Sequence, residues 1–405
     1  MIDLKEIQKA KELLEGVVVK TPFANAPLLS QRVSADVYLK KENLQLTGAF
    51  KLRGAYNKIA NLSKDELKRG VIAASAGNHA QGVAYSAKLF DTKATIVMPE
   101  ATPLLKVENT RSLGAKVILK GENYDEAYNY ALKKSKEDSL VFVHPFADKD
   151  VMAGQGSIAL EMLEDRKDLD YLVVSIGGGG LIAGVASVFK SLSPSTKVIG
   201  VVASGANAML KSYLSKKPID STSVRTIADG IAVRDVNEQN LKEVIELVDE
   251  LVEVDDEEIA SAVLFLLEKQ KLVVEGAGAA GVAAILHKKF SFFEGAKIAT
   301  ILSGGNIDVS MLSLIIEKGL IKAYRKMKFV ITLIDKPGAL MDLTDILKDL
   351  GANIVQIDYD RTSTNLSYGD AFVTLALETK GKEHQEQIRE SLDKRGYIYK
   401  EEMRV

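Results

Sequence analysis

The 405-residue chain contains no cysteine, which excludes disulfides, thiolate nucleophiles and cysteine-based zinc sites. Its four histidines are scattered, with no i,i+4 pair and no carboxylate–histidine cluster, so no metal site is expected. Neither sign of charge dominates. The formal net charge of −2 argues against a nucleic-acid partner, because phosphate binding needs a basic excess or patch. The one basic cluster, Lys322, Arg325, Lys326 and Lys328, lies beside an expected domain junction and reads as a solvated linker. No stretch approaches the roughly 18 apolar residues of a membrane span. The opening MIDLKEIQKAKELLEG reads as a charged amphipathic helix rather than a signal peptide. No membrane association is expected, and a cytoplasmic location is.

What is present is ample core material, 46% apolar residues, in a length that suits two or three domains. VIAASA (71–76), ATIVMP (94–99), YLVVSI (171–176), KVIGVVA (197–203) and KIATILS (297–303) are short continuous apolar runs, several leading through small residues into amphipathic stretches. That alternation predicts an α/β fold with parallel sheets covered on both faces. Ligands of such sheets sit beyond the C-terminal strand ends, so the loops SAGNH, GGGG and SGGN are expected to share one cleft. From about residue 327 the order becomes β-α-β-β-α-β, the ferredoxin-like split unit. The boundary is expected near Lys326, with 1–325 as the main region, a smaller subdomain of about 41–145 inserted in it, and 327–405 as the tail.

Three segments carry chemistry. TGAFKLRGA (47–55) puts Lys51 at a helix start beside Phe50. The helix dipole and partial burial both lower a lysine pKa, which frees the neutral amine to attack an aldehyde. A solvated surface lysine, with Arg53 nearby, is the plainer reading. Gly177, Gly178, Gly179 and Gly180 open a helix near Leu181. This is neither the dinucleotide fingerprint nor a P-loop, and it offers bare N–H groups to a small phosphorylated cofactor or makes a tight turn. SAGNHAQG (75–82) could hold a carboxylate or supply a Ser/Asn cap to the following helix.

Taken together, AFKLRGA, SAGNHAQG, GGGGL and SGGN, in this order and at these separations, resemble the fold-type-II pyridoxal-phosphate enzymes, with tryptophan synthase β-like architecture. Within these the likeness is to the threonine/serine dehydratases, or threonine ammonia-lyases. It covers nearly all of 1–325, and the tail resembles an ACT domain, an amino-acid-sensing module. The resemblance implies pyridoxal 5′-phosphate as cofactor and Lys51 as the Schiff-base lysine, with Phe50 near the ring. It gives Asn78 to the phenolic oxygen, Gly177–Gly180 with the Leu181 amide to the phosphate, and Ser303 to the pyridine nitrogen. Ser75, Gly77 and His79 would frame the substrate carboxylate, and Glu275 would fall near the site.

The implied reaction is α,β-elimination of L-threonine, and of L-serine as well, to a 2-oxo acid and ammonia. Serine racemases of this fold carry a second serine where this chain has Ala76, and acidic metal ligands where it reads Val202-Ala203-Ser204-Gly205-Ala206-Asn207-Ala208. Both departures favour elimination. Rival readings are a serine dehydratase or threonine synthase of the same fold, a non-catalytic amino-acid sensor, and a nucleotide-binding enzyme. The ACT-like tail implies allosteric control by an amino acid at Asp335–Leu340 and Asn353–Ile354. Isoleucine is the leading effector, as end product of a pathway that begins with threonine deamination, with valine opposing it. A homodimer or homotetramer with paired tails is expected.

Overall fold

The continuous apolar runs become strands buried along nearly all of their length. In the computed structural model, which describes residues 1–401, they form two sheets within a unit spanning residues 1–307. The strands are β1 (Phe23–Asn25), β2 (Asp36–Lys40), β3 (Val71–Ala74), β4 (Ala94–Met98), β5 (Lys116–Leu119) and β6 (Val141–Phe142). They continue with β7 (Tyr171–Ser175), β8 (Lys197–Ala203), β9 (Glu250–Val254) and β10 (Lys297–Ile301). The larger sheet has the order β1-β2-β10-β7-β8-β9, parallel except for β1. The smaller, β5-β4-β3-β6, is wholly parallel. Every residue of β3 and β7 is buried, as helices on both faces of a parallel sheet require.

The helices follow from local signals. Asp3 caps Leu4–Leu14 by accepting from the Lys5 N–H, and Ile7, Ala10 and Leu14 form its buried stripe. Ser63 with Glu66, and Asp255 with Glu258, complete capping boxes. One buried cluster fixes the helix Lys51–Ala60. The Arg53 guanidinium donates to Glu42 at 2.8 and 2.9 Å and to Glu161 at 2.6 and 3.0 Å, and Lys40 reaches Glu161 at 2.5 Å. Arg53, Lys40 and Glu42 are fully buried. The arginine two residues from Lys51 is therefore a structural tie and not the mark of a solvated surface.

The second unit begins at Asp308, ahead of the helix Val309–Lys322, whereas the sequence pattern sets the boundary near Lys326. The basic cluster is not a linker. Lys322 closes that helix, while Lys326 and Lys328 lie in the next strand, where Lys326 pairs with Glu317. The remaining strands are β11 (Lys326–Ile334), β12 (Asn353–Asp360), β13 (Asp370–Glu378) and β14 (Ile398–Glu401), in the antiparallel order β12-β13-β11-β14. With helices Ala339–Asp349 and Lys382–Lys394 this is the expected β-α-β-β-α-β unit. Burial alternates along β11, because one face is covered and the other is not. Among the described residues no helix is long and apolar enough to cross a membrane.

Candidate active site

The loops after β3, β7 and β10 meet at the start of the lysine helix. The Phe50 N–H donates to the Ser303 carbonyl at 3.0 Å, Ala49 bridges Gly304, and the Gly305 N–H donates to the Gly48 carbonyl at 2.8 Å. Ser303 is buried. Lys51 opens the helix Lys51–Ala60 with Phe50 as its N-cap. Its amine donates to the Pro145 carbonyl at 2.7 Å and lies 5.2 Å from the Phe50 ring centroid. Burial depresses the amine to about 8, against the opposing pull of the Glu275 carboxylate, so a real fraction is neutral at physiological pH.

Pro145 leads directly to the glycine turn. A Cβ on Gly178 would stand 2.3 Å from Phe146 Cγ, and one on Gly180 would stand 2.7 Å from the Phe146 carbonyl oxygen. Gly179 sits at φ +86° and caps the 13-residue helix Gly180–Leu192. Asn240 Nδ2 donates to the carbonyls of Gly178 at 2.5 Å and Phe146 at 3.1 Å. The turn is thus clamped from outside, and the first N–H groups of the helix, Leu181's among them, have no intrahelical acceptor.

The Ser75–Asn78 loop rules out one reading. Gly77, not a serine or asparagine, is the N-cap of Asn78–Leu89, with no side-chain cap. Ser75 Oγ accepts from the Gly77 N–H at 3.2 Å, and a Cβ at Gly77 would meet nothing within 4 Å. Asn78 is turned away from the helix: its Nδ2 donates to Glu275 at 2.8 Å and its Oδ1 accepts from Asn306 at 2.7 Å. The His79 ring is buried behind the loop, with Nε2 2.9 Å from the Val143 carbonyl. Burial and the Lys51 charge hold it down at about 3. His144, whose Nδ1 accepts from the N–H groups of Phe146 and Ala147, is held at about 4 by the same causes. Both imidazoles are neutral at pH 7.

Sequence reasoning missed Pro145, Phe146, His144, Asn240 and Asn306, and gave Glu275 no definite part. Of these only Asn306 lies in a motif, as the last residue of SGGN, and it was given no role. Each is brought in by an element whose local sequence signals only its secondary structure.

A half-buried lysine of depressed pKa, a glycine-lined helix N-terminus for an anion, and a buried hydroxyl at the end of β10 suit a phosphorylated aldehyde held through an amine. They define a lysine-anchored cofactor enzyme. Residues 14–304 match the family described as "Pyridoxal-phosphate dependent enzyme". The chain belongs to this family, and its cofactor is pyridoxal 5′-phosphate. It is 49% identical over 397 residues, 98% of each chain, to an L-threonine ammonia-lyase of Thermotoga maritima. Among solved structures it resembles the processed form of threonine deaminase isoform 2 from Solanum lycopersicum, with a TM-score of 0.74 and 39% identity, over 78% of this chain and 88% of that one. Maize serine racemase matches with a TM-score of 0.74 and 34% identity, over 80% and 99%.

Proposed function

We propose that this protein is an L-threonine ammonia-lyase that removes water and then ammonia from L-threonine to give 2-oxobutanoate, and that it also acts on L-serine. The observation that carries the reading is the junction at Lys51, where a depressed amine, a glycine-lined helix N-terminus and the Asn78 loop converge. The names of the relatives at high identity support the same activity. Ala76 and the carboxylate-free stretch 202–208 favour elimination over the racemisation named for the maize structure.

Pyridoxal phosphate supplies, when bound, an electron sink for the charge left as the Cα proton departs. Lys51 would hold the cofactor through its amine, and the same Nζ is placed to take the Cα proton. Gly177–Gly180 and the Leu181 N–H would hold the phosphate. Asn78 would present an N–H to the phenolic oxygen, Phe50 would pack near the ring, and Ser303 would offer the ring nitrogen a hydroxyl without charging it. Ser75 and Gly77 hold the substrate carboxylate from the loop, with His79 contributing through its main chain, since its ring is tied to Val143. His79 and His144 stay neutral and bonded to main-chain groups, so the departing hydroxyl would take its proton from the Lys51 ammonium or the cofactor phosphate. Threonine and serine differ by one methyl, worth about 1–3 kcal/mol in a pocket, so both turn over.

The tail acts as an ACT-like regulatory unit. A surface hollow beside Lys348, Gly351, Asn353 and Ile354 includes the expected Asn353–Ile354 position and is open enough to admit an amino acid. β12 is an edge strand exposing Val355, Ile357 and Tyr359, which suits pairing with a second copy. Borohydride reduction should fix the cofactor on Lys51, and Lys51→Ala should abolish the adduct and lower threonine turnover on the order of 10³-fold. Isoleucine should alter turnover of the full chain but not of a chain ending at residue 326. An adduct-free but active parent protein would overturn the assignment.

A further inference from the structure

Glu275 stands where a cap belongs and does not cap. It is the N-cap residue of Gly276–Leu286, with no side-chain bond to that helix. Its buried carboxylate turns into the site instead and accepts from Asn78 Nδ2 at 2.8 Å. Asn306 closes a triangle. Its main-chain N–H donates to Glu275, and its side-chain Nδ2 donates to Asn78 Oδ1 at 2.7 Å and to the Thr47 carbonyl at 2.8 Å. Two glycines make room: a Cβ at Gly304 would stand 2.5 Å from Glu275 Oε1 and 3.0 Å from Asn78 Nδ2, and one at Gly230 would stand 3.2 Å from Oε1.

The valences of the Asn78 amide are then nearly settled. The oxygen faces Asn306, one N–H faces Glu275, and a single N–H remains. A carboxylate can only accept when ionised, so Glu275 decides which way round the amide sits. We propose that Glu275 is a positioning residue: through Asn78 it fixes the amide N–H that meets the cofactor's phenolic oxygen, and its ionisation sets how strongly that N–H is held. This rests on the role given above to Asn78. Burial and the Asp229 carboxylate push Glu275 up to about 7, against the Asn78 bond, Lys106 and the Asn306 N–H. Lys51 is the other charge facing it, while His79 and His144 titrate well below this range. Glu275 therefore changes charge within the working range of the enzyme, and a charge-assisted bond to Asn78 is made above pH 7 and weakened below it.

The test compares the holoenzyme with Glu275→Gln and Asn78→Ala, following cofactor absorbance against pH together with kcat and KM. The parent should show a spectral transition centred near pH 7. Glu275→Gln keeps shape and an acceptor but cannot titrate. It should retain cofactor, lose that transition, and lower kcat by about tenfold with KM little changed, the scale of one hydrogen bond to a charged group. In the Asn78→Ala background the Glu275→Gln change should add nothing. A transition that survives in Glu275→Gln, or a full Glu275→Gln effect without Asn78, overturns the inference. If Asn78→Ala leaves the cofactor spectrum as in the parent, the role of Asn78 itself is wrong, and the inference falls with it.

Discussion

The two units of this chain handle the same building materials in opposite ways. In residues 1–307 the strands around the site are buried on both faces, and charge is taken inside and paired, as in the Arg53–Glu42–Glu161–Lys40 cluster. In the unit from Asp308 the strands alternate, one face is open, and ion pairs such as Arg389–Glu401 lie partly exposed. The contrast shows what catalysis of this kind needs from a fold. Here it is exclusion of water that depresses the lysine amine, and the anion cradle of bare N–H groups lies at strand ends sunk between layers. Among the described residues of the tail, the core covers one sheet face only. The tail's assets are an edge strand and a surface hollow, which suit contacts made and broken with other molecules.

Removing one arginine from each unit sharpens the comparison. Arg53→Gln leaves Glu42 and Glu161 buried without their cation, which should cost about 3–5 kcal/mol and disturb the start of the lysine helix. Arg389→Gln should cost about 1 kcal/mol or less. Denaturant unfolding of the two variants checks this. Equal losses would mean that the buried cluster is no more important than a surface pair.

The same contrast explains how much was legible in the sequence. Continuous apolar runs such as YLVVSI and KVIGVVA gave their strands to within about a residue, because burial on both faces leaves no polar position to blur the ends. Lys51, the glycine turn and the Asn78 loop stood out only in combination, since alone each reads as well as a solvated lysine, a tight turn or a helix cap. The β-α-β-β-α-β order was readable from alternation. Arg53 was not, since nothing local distinguishes a buried arginine from a solvated one. Its carboxylate partners lie 11 and 108 residues away. Glu275 and Asn306 were invisible as partners for the same reason, and the Ser/Asn cap proved to be a bare Gly77 with the Asn78 amide spent across the cleft.

Acid should act on the first unit through its neutral histidines. His79, held near 3 in the folded chain, would take a proton near pH 6.5 when unfolded. Its contribution to stability is therefore complete above pH 6.5 and is lost progressively as pH falls toward 3. His144, held at about 4, acts in the same direction. Glu275, raised to about 7, acts oppositely, because the folded form takes its proton first. Two protons against one leave a net fall from these groups of roughly 1.4 kcal/mol per pH unit between 6.5 and 4.5. His79→Gln should flatten the measured slope by about that amount. A slope that His79→Gln leaves unchanged would place the acid sensitivity elsewhere.

The smallest effect on stability should come from the open edge of the tail. Val355, Ile357 and Tyr359 project from β12 at alternate positions and are each more than two-fifths exposed. Ile357→Lys replaces an exposed apolar group on an edge strand, so the folded chain should change by no more than about 0.5 kcal/mol. A buried charge in a strand-to-strand pairing of two copies would be far less tolerable. Sedimentation should then show a smaller assembly with threonine turnover per subunit retained and the isoleucine response reduced. If Ile357→Lys sediments as the parent does, β12 is not where copies meet, and the exposed apolar row must serve another contact.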